Sequence, residues 1–177
     1  MRDTYVRSRE DRSLTMLPAI AERDEFAALV IRTDFSDDRA WQSVLAELSK
    51  PWEFDGSDDV DPHLHVVDDP AWSGATPDAV IAALSGDPEL SVVYLADGVA
   101  MEGREHTLLV VSVPTREEHA SDEEYTSDEE FEADGGTVRT VPAGIGDIHA
   151  NLSIANLAFA DIVEAARNDP SGIFRSF

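Results

Sequence analysis

Two aspartates, Asp34 and Asp97, each follow a run of apolar, branched residues: Phe26 to Thr33 for the first, Leu90 to Ala96 for the second. If those runs are neighbouring parallel strands, both carboxylates lie at the carboxyl edge of one sheet, where open α/β sheets bind ligands. Such a pair could hold Mg²⁺, which takes oxygen ligands and keeps several waters. The plainer reading is turn chemistry. Asp34 opens a turn toward Ser36, and Asp97 starts the turn at Gly98, both being places where an aspartate side chain bonds the backbone just ahead of it.

His63-x-His65 sets two imidazoles on one face of a short strand, beside Asp61, Asp68 and Asp69. Zinc or another divalent ion accepts such ligands. The spacing fixes no third ligand; His149, on a C-terminal helix, is the candidate. The alternative is two histidines on a half-exposed strand face. Asp34-x-Ser36-x-Asp38 and Asp55-x-Ser57-x-Asp59-x-Asp61 alternate oxygen donors as calcium loops do, yet Arg39 and Val60 stand where glycine is needed, and Leu45 and Val66 where a bidentate glutamate belongs. No Gly-x-Ser-x-Gly motif exists, and Gly144-Ile145-Gly146 lacks the third glycine of a phosphate loop. The motifs favour a protein that is not an enzyme and needs no cofactor, with a divalent cation as the one alternative.

The most unusual stretch is the acidic tandem between Glu117 and Asp134: Ser121-Asp122-Glu123-Glu124-Tyr125 followed by Ser127-Asp128-Glu129-Glu130-Phe131. Like charges at that density resist packing, which predicts an extended or disordered loop over 117–135. Asp122, Glu123, Glu124, Asp128, Glu129 and Glu130 could grip a basic partner, with Tyr125 and Phe131 as ring anchors. Spaced carboxylates can also imitate DNA phosphates, and an inert solvated insertion is the bland alternative.

Thirty-seven acids against thirteen bases give a net charge of −24. That balance opposes binding to a nucleic-acid backbone, which depends on Lys and Arg replacing counterions, and to anionic membranes. It suits a basic protein partner; solubility or high-salt adaptation explain it too. The chain has no cysteine, and its first residues carry no apolar signal segment, which together suit a cytoplasmic protein. Oligomeric state is not legible.

Positioning these residues requires an α/β (or α+β) domain: a single mixed sheet of about five strands with helices packed on it. Residues 1–16 read as a flexible arm, with Met16 an alternative start, and 17–177 as the domain. Ser36 is placed to cap a helix whose apolar face is Trp41, Val44, Leu45 and Leu48. His63 to Val67 reads as a strand, and Thr76-Pro77 as the start of a second helix. Gly98 to His106 reads as a loop between strands ending at Ala96 and starting at Thr107. Thr137 to Val141 is a short strand. Steps of three and four residues from Ile145 to Ala166 predict helix, broken near Asn151 and Asn156 with Asn156 capping the second piece; a strand at Leu152-Ser153-Ile154 competes. Gly172 to Phe177 folds back on the domain.

The segments "LVIRTDFSDDRAW" at 29–41, "VDDPAWSGATPDAV" at 67–80, "NLSIANLAFADI" at 151–162 and "GIFRSF" at 172–177 resemble a family of actinobacterial proteins known only as a domain of unknown function. The resemblance runs from Leu17 to Phe177 and implies no activity, cofactor or catalytic residue. The arm before Met16 and the acidic tandem stand apart from it as additions. The residues best fit a protein-binding domain of immunity, inhibitor or adaptor type. The alternatives are a small enzyme or ligand sensor using Asp34 and Asp97, and a DNA mimic.

Overall fold

The computed structural model describes residues 20, 23–53, 59–84, 87, 89–113 and 136–177. The acidic tandem, with Asp122 to Phe131, and the N-terminal arm lie outside them.

The elements run β1 (Ala28–Arg32), α1 (Asp38–Leu48), β2 (Leu64–Val67), α2 (Pro77–Leu84), β3 (Val92–Ala96), α3 (Gly98–Glu102), β4 (Leu108–Ser112), β5 (Thr137–Thr140), α4 (Ile145–Ser153), α5 (Phe159–Asn168) and β6 (Ile173–Phe174), with single 3₁₀ turns at Pro70–Trp72 and Pro142–Gly144. One mixed six-stranded sheet has the order β2-β1-β3-β4-β5-β6. β1 is parallel to β2 and β3, with Val30 opposite both Val66 and Tyr94. β3, β4 and β5 form antiparallel pairs, and β6 returns parallel to β5. The sixth strand is the two-residue return of the tail.

Both faces of the sheet are covered. One core joins Val30, Tyr94 and Val110 to Trp41 and Val44 of α1, Met101 of α3, Ile145 and Ile148 of α4, and Ile162 and Ala166 of α5. The other joins Leu29, Ile31, Val93 and Leu95 to Val80 and Leu84 of α2 and to Trp72. Every residue of β1 and β3 is buried, as their unbroken apolar runs demand. Burial of each such large side chain contributes about 1.5–3 kcal/mol.

The connections follow from handedness. Because strand–helix–strand crossovers are right-handed, stepping from β1 out to β2 and back across to β3 puts α1 and α2 on opposite faces. The direction of winding therefore reverses between β1 and β3.

Local details depart from the sequence reading in four places. Asp37, not Ser36, caps α1, its Oδ1 accepting from the N–H groups of Arg39 (2.8 Å) and Ala40 (3.0 Å). Gly98–Glu102 is a short helix rather than loop, burying Ala100 and Met101. Residues 152–154 form no strand. The break after α4 is a turn with Ala155 at φ +52°, where the Asn156 amide donates to Asn151 Oδ1 at 2.7 Å. The N-cap of α5 is then Ala158, whose N–H is met by the Asp161 carboxylate at 2.8 Å. Thr76 does cap α2, accepting from Ala79 N–H at 3.3 Å.

Candidate functional site at the carboxyl edge of the sheet

The point where the winding reverses is where an α/β sheet opens a crevice for ligands. Here it lies beyond the ends of β1 and β3, and Asp34 and Asp97 flank it. The two strand ends are tied together: Ala96 O accepts from both Thr33 N–H (3.0 Å) and Asp34 N–H (3.2 Å).

Arg32, the last residue of β1, organises the first half of this edge. Its side chain is 4% exposed, so every donor needs a partner. Nη2 donates to Asp38 Oδ1 at 2.7 Å, Nη1 to Asp68 Oδ1 at 3.2 Å and Nε to the Asp34 carbonyl at 2.9 Å. The guanidinium lies 4.2 Å from the ring centroid of Phe35 and 5.3 Å from that of Trp41. Asp68 also accepts from Trp41 Nε1 at 2.8 Å. Burial works against the arginine's charge, but the hydrogen bonds to Asp38 and then Asp68 more than offset it and leave its pKa raised. The segments "TDFSDD" and "VDDPAW" thus meet around one cation. Gly74 N–H, donating to Thr33 O at 2.8 Å, ties the same two segments together a second time.

Asp34 makes an Asx turn, its Oδ1 accepting from Ser36 N–H at 2.7 Å. Hydrogen bonding from Ser36, side chain first and backbone second, holds the carboxyl below its ordinary range, with a smaller pull from Arg32. Gly98 sits close by: a Cβ there would lie 3.1 Å from Asp34 Oδ2.

Asp97 caps α3 through Ala100 N–H at 3.2 Å and is gripped by both terminal nitrogens of Arg139, at 2.8 and 2.5 Å. Arg139 Nη1 also donates to Thr107 O at 3.2 Å. Arg139 escaped sequence reasoning. The available signal was an arginine alternating with buried Val138 and Thr140 in a four-residue strand, a position that asks for a carboxylate partner.

The histidines gather elsewhere. His149 Nε2 donates to Phe26 O at 2.8 Å, and His63 Nε2 stands 3.6 Å from Asp24 Oδ2. His65, opposite Leu29 in the β1–β2 pair, is half-buried. Burial pushes the His149 pKa down, and nearby Arg23 and His63 add to that. His149 Nε2 is thus spent on a carbonyl, and of the two ring nitrogens only Nδ1 keeps a lone pair. Among the described residues no three His, Asp or Glu side chains converge to hold a metal ion. Gly144 and Gly146 have packing roles. A Cβ at Gly146 would meet the Trp52 ring at 2.8 Å, and one at Gly144 would strike Thr140 and Phe174.

A general base poised for neutral pH needs a carboxyl raised toward 7. Asp34 is shifted the other way, and Asp97 is an anchor for a guanidinium. Chemically, this edge can hold its own strands in register and present a charged rim to solvent.

No helix among the described residues is long and apolar enough to cross a membrane. No curated protein and no solved structure matches the chain. A family model does match, over residues 27–177, beginning at the first strand and ending with the returning tail: the chain belongs to the DUF6924 family, a domain of unknown function.

Proposed function

We propose that this chain is a non-enzymatic, cytoplasmic binding domain of immunity, inhibitor or adaptor type that presents an acidic surface to a basic protein partner. The observation that carries the reading is the division of its carboxylates. The two best placed for chemistry are already engaged, Asp97 by Arg139 and Asp34 by Ser36, and no described acid is buried. Ten of the thirty-seven acids lie between Glu117 and Asp134. The remaining twenty-seven still outnumber the bases about twofold, so the acidity is not confined to the tandem.

Affinity capture on the immobilised full chain, followed by association kinetics with each purified partner, tests this. The expected result is a basic partner whose on-rate falls about tenfold or more between roughly 50 and 500 mM salt. A neutral or acidic partner, or an on-rate indifferent to salt, overturns it. Deleting 117–134 decides whether the tandem supplies the contact: unchanged binding moves the contact to the rest of the chain.

A further inference from the structure

β2 is the terminal strand of the sheet, and its outer edge is open among the described residues. The phase of its ladder with β1 is set by the bond from Ala28 N–H to His63 O at 3.0 Å. In a parallel pair successive residues alternate between facing the neighbour and facing away. His63, His65 and Val67 therefore point their backbone groups at β1, and Leu64 and Val66 point theirs outward. Neither Leu64 nor Val66 has a hydrogen-bond partner on that side among the described residues. Val66 is 36% exposed, and Val60 nearby is exposed as well.

Exposed edges are blunted by lysine, by an inward charge, by proline or by short length. This one is only four residues long and has prolines beside it, but no lysine. From Pro51 to Gly103 the sequence contains no Lys or Arg, and five of the described residues from 53 to 69 are acids. Asp59 and Asp61 lead into the strand and Asp69 leaves it, all exposed, while Asp68 before it is taken by Arg32 and Trp41. Pro62 and Pro70 bracket the edge and limit it to a short, defined length. The edge thus offers a row of backbone donors and acceptors, a small apolar spot and negative charge at both ends.

We infer that the outer edge of β2 takes an extended basic segment of the partner as a seventh strand, with backbone bonds to Leu64 and Val66 and cationic side chains reaching the flanking aspartates. This inference rests on the basic-partner reading and specifies where and how it is met. Strand addition takes affinity from main-chain bonds and specificity from alternate side chains. Here the alternation selects basic residues separated by small branched ones. A second copy of this chain is disfavoured at the same edge, because two molecules of charge −24 would meet acid to acid.

The test is a titration of the full chain with a fluorescent decapeptide of alternating Arg and Val, read by anisotropy. Two further decapeptides have the same sequence with alternate amides N-methylated, one in each of the two registers. Methylation keeps the charge and removes the edge-facing donors. The expected result is saturable binding of the parent and a loss of about tenfold or more on methylation in one register, the size of two hydrogen bonds. Val66→Pro, which removes an outward N–H and none of the β1 ladder, should weaken the parent similarly. Should Val66→Pro fail to fold by circular dichroism, the methylated pair on the unaltered chain decides alone. Equal binding of parent and both methylated peptides overturns strand addition and leaves the acidic-surface reading standing. No binding of the parent peptide also overturns it, and the partner experiment above then judges that reading separately. A dimer of the free chain in sedimentation velocity that Val66→Pro dissolves would show that a second copy occupies the edge, and would overturn the inference.

Discussion

Replacing Arg32 by methionine isolates the part of the carboxyl edge that the recognisable sequence segments build. The side chain makes three hydrogen bonds and lies over Phe35, and methionine fills similar space without the charge. Breaking a buried ion pair costs up to about 3–5 kcal/mol when the remaining charge is stranded. Here the orphans are not stranded: the Asp38 side chain is 87% exposed and that of Asp68 46%, so water meets them. The Asp38 contact is therefore held to the surface value of about 1 kcal/mol or less. The bonds to Asp68 and to the Asp34 carbonyl add about 1 kcal/mol each, and stacking on Phe35 about 0.5–1. Relief of the guanidinium's desolvation returns part of this, leaving a net loss of about 2–3 kcal/mol. For a chain of this size that is a fall in Tm of about 4–12 °C. Urea and thermal unfolding read it directly. Arg32→Lys, which keeps the charge but loses the planar fork, should fall between methionine and the parent. A double-mutant cycle with Asp68→Asn should show coupling of about 1 kcal/mol. Methionine within about 0.5 kcal/mol of the parent, or more stable, would refute the view that Arg32 locks this edge.

Three further outcomes follow from the geometry. Gly146→Ala sets a methyl against the Trp52 ring and should cost about 1–3 kcal/mol in urea unfolding, more than helix propensity alone would gain. Tyr94 is fully buried with a hydroxyl that has no hydrogen-bond partner among the described residues, and burial raises its pKa. Tyr94→Phe should therefore be neutral or stabilising by about 1 kcal/mol, and a loss above that would reveal a partner for the hydroxyl. His149 has its folded pKa lowered from the ordinary 6.5, so the unfolded chain binds the proton more readily. Its share of stability is complete above the unfolded value and is lost as pH falls from there through the folded value. His149→Gln should flatten the chain's stability–pH curve in that window.

How legible each feature was depended on how much sequence encodes it. β1 and β3 were readable because a strand covered on both faces needs an unbroken branched run, and the run Leu108 to Val111 marked β4 in the same way. Their adjacency brought Asp34 and Asp97 to one edge as their positions suggested. The choice of helix cap was not readable: Ser36, Asp37 and Asp38 are all competent, and competing contacts within the same turn use Ser36 with Asp34 and Asp38 with Arg32, which leaves Asp37. α3 was missed because five residues cannot show a helical period. Asn156 yielded its expected capping role to Asp161, which reaches back to the Ala158 N–H, a bond encoded by one side chain three residues ahead. Arg139 was missed because its meaning depends on β5 lying two strands from Asp97, a long-range fact. The paired glycines at 144 and 146 mimic part of a phosphate loop but exist for close packing against Thr140 and Trp52.

The carboxylates at the reversal point are already engaged, and a Mg²⁺ titration of the ¹⁵N-labelled chain watched by amide chemical shifts tests that most directly. Gly98, which packs close to the Asp34 carboxylate, is the reporter, with the Asp34 and Asp97 amides alongside it. None of the three should show a saturating shift up to about 10 mM Mg²⁺, since neither carboxylate is free to displace the ion's water. A saturating shift of all three with a midpoint below about 1 mM would contradict it and place a cation site at the crevice instead.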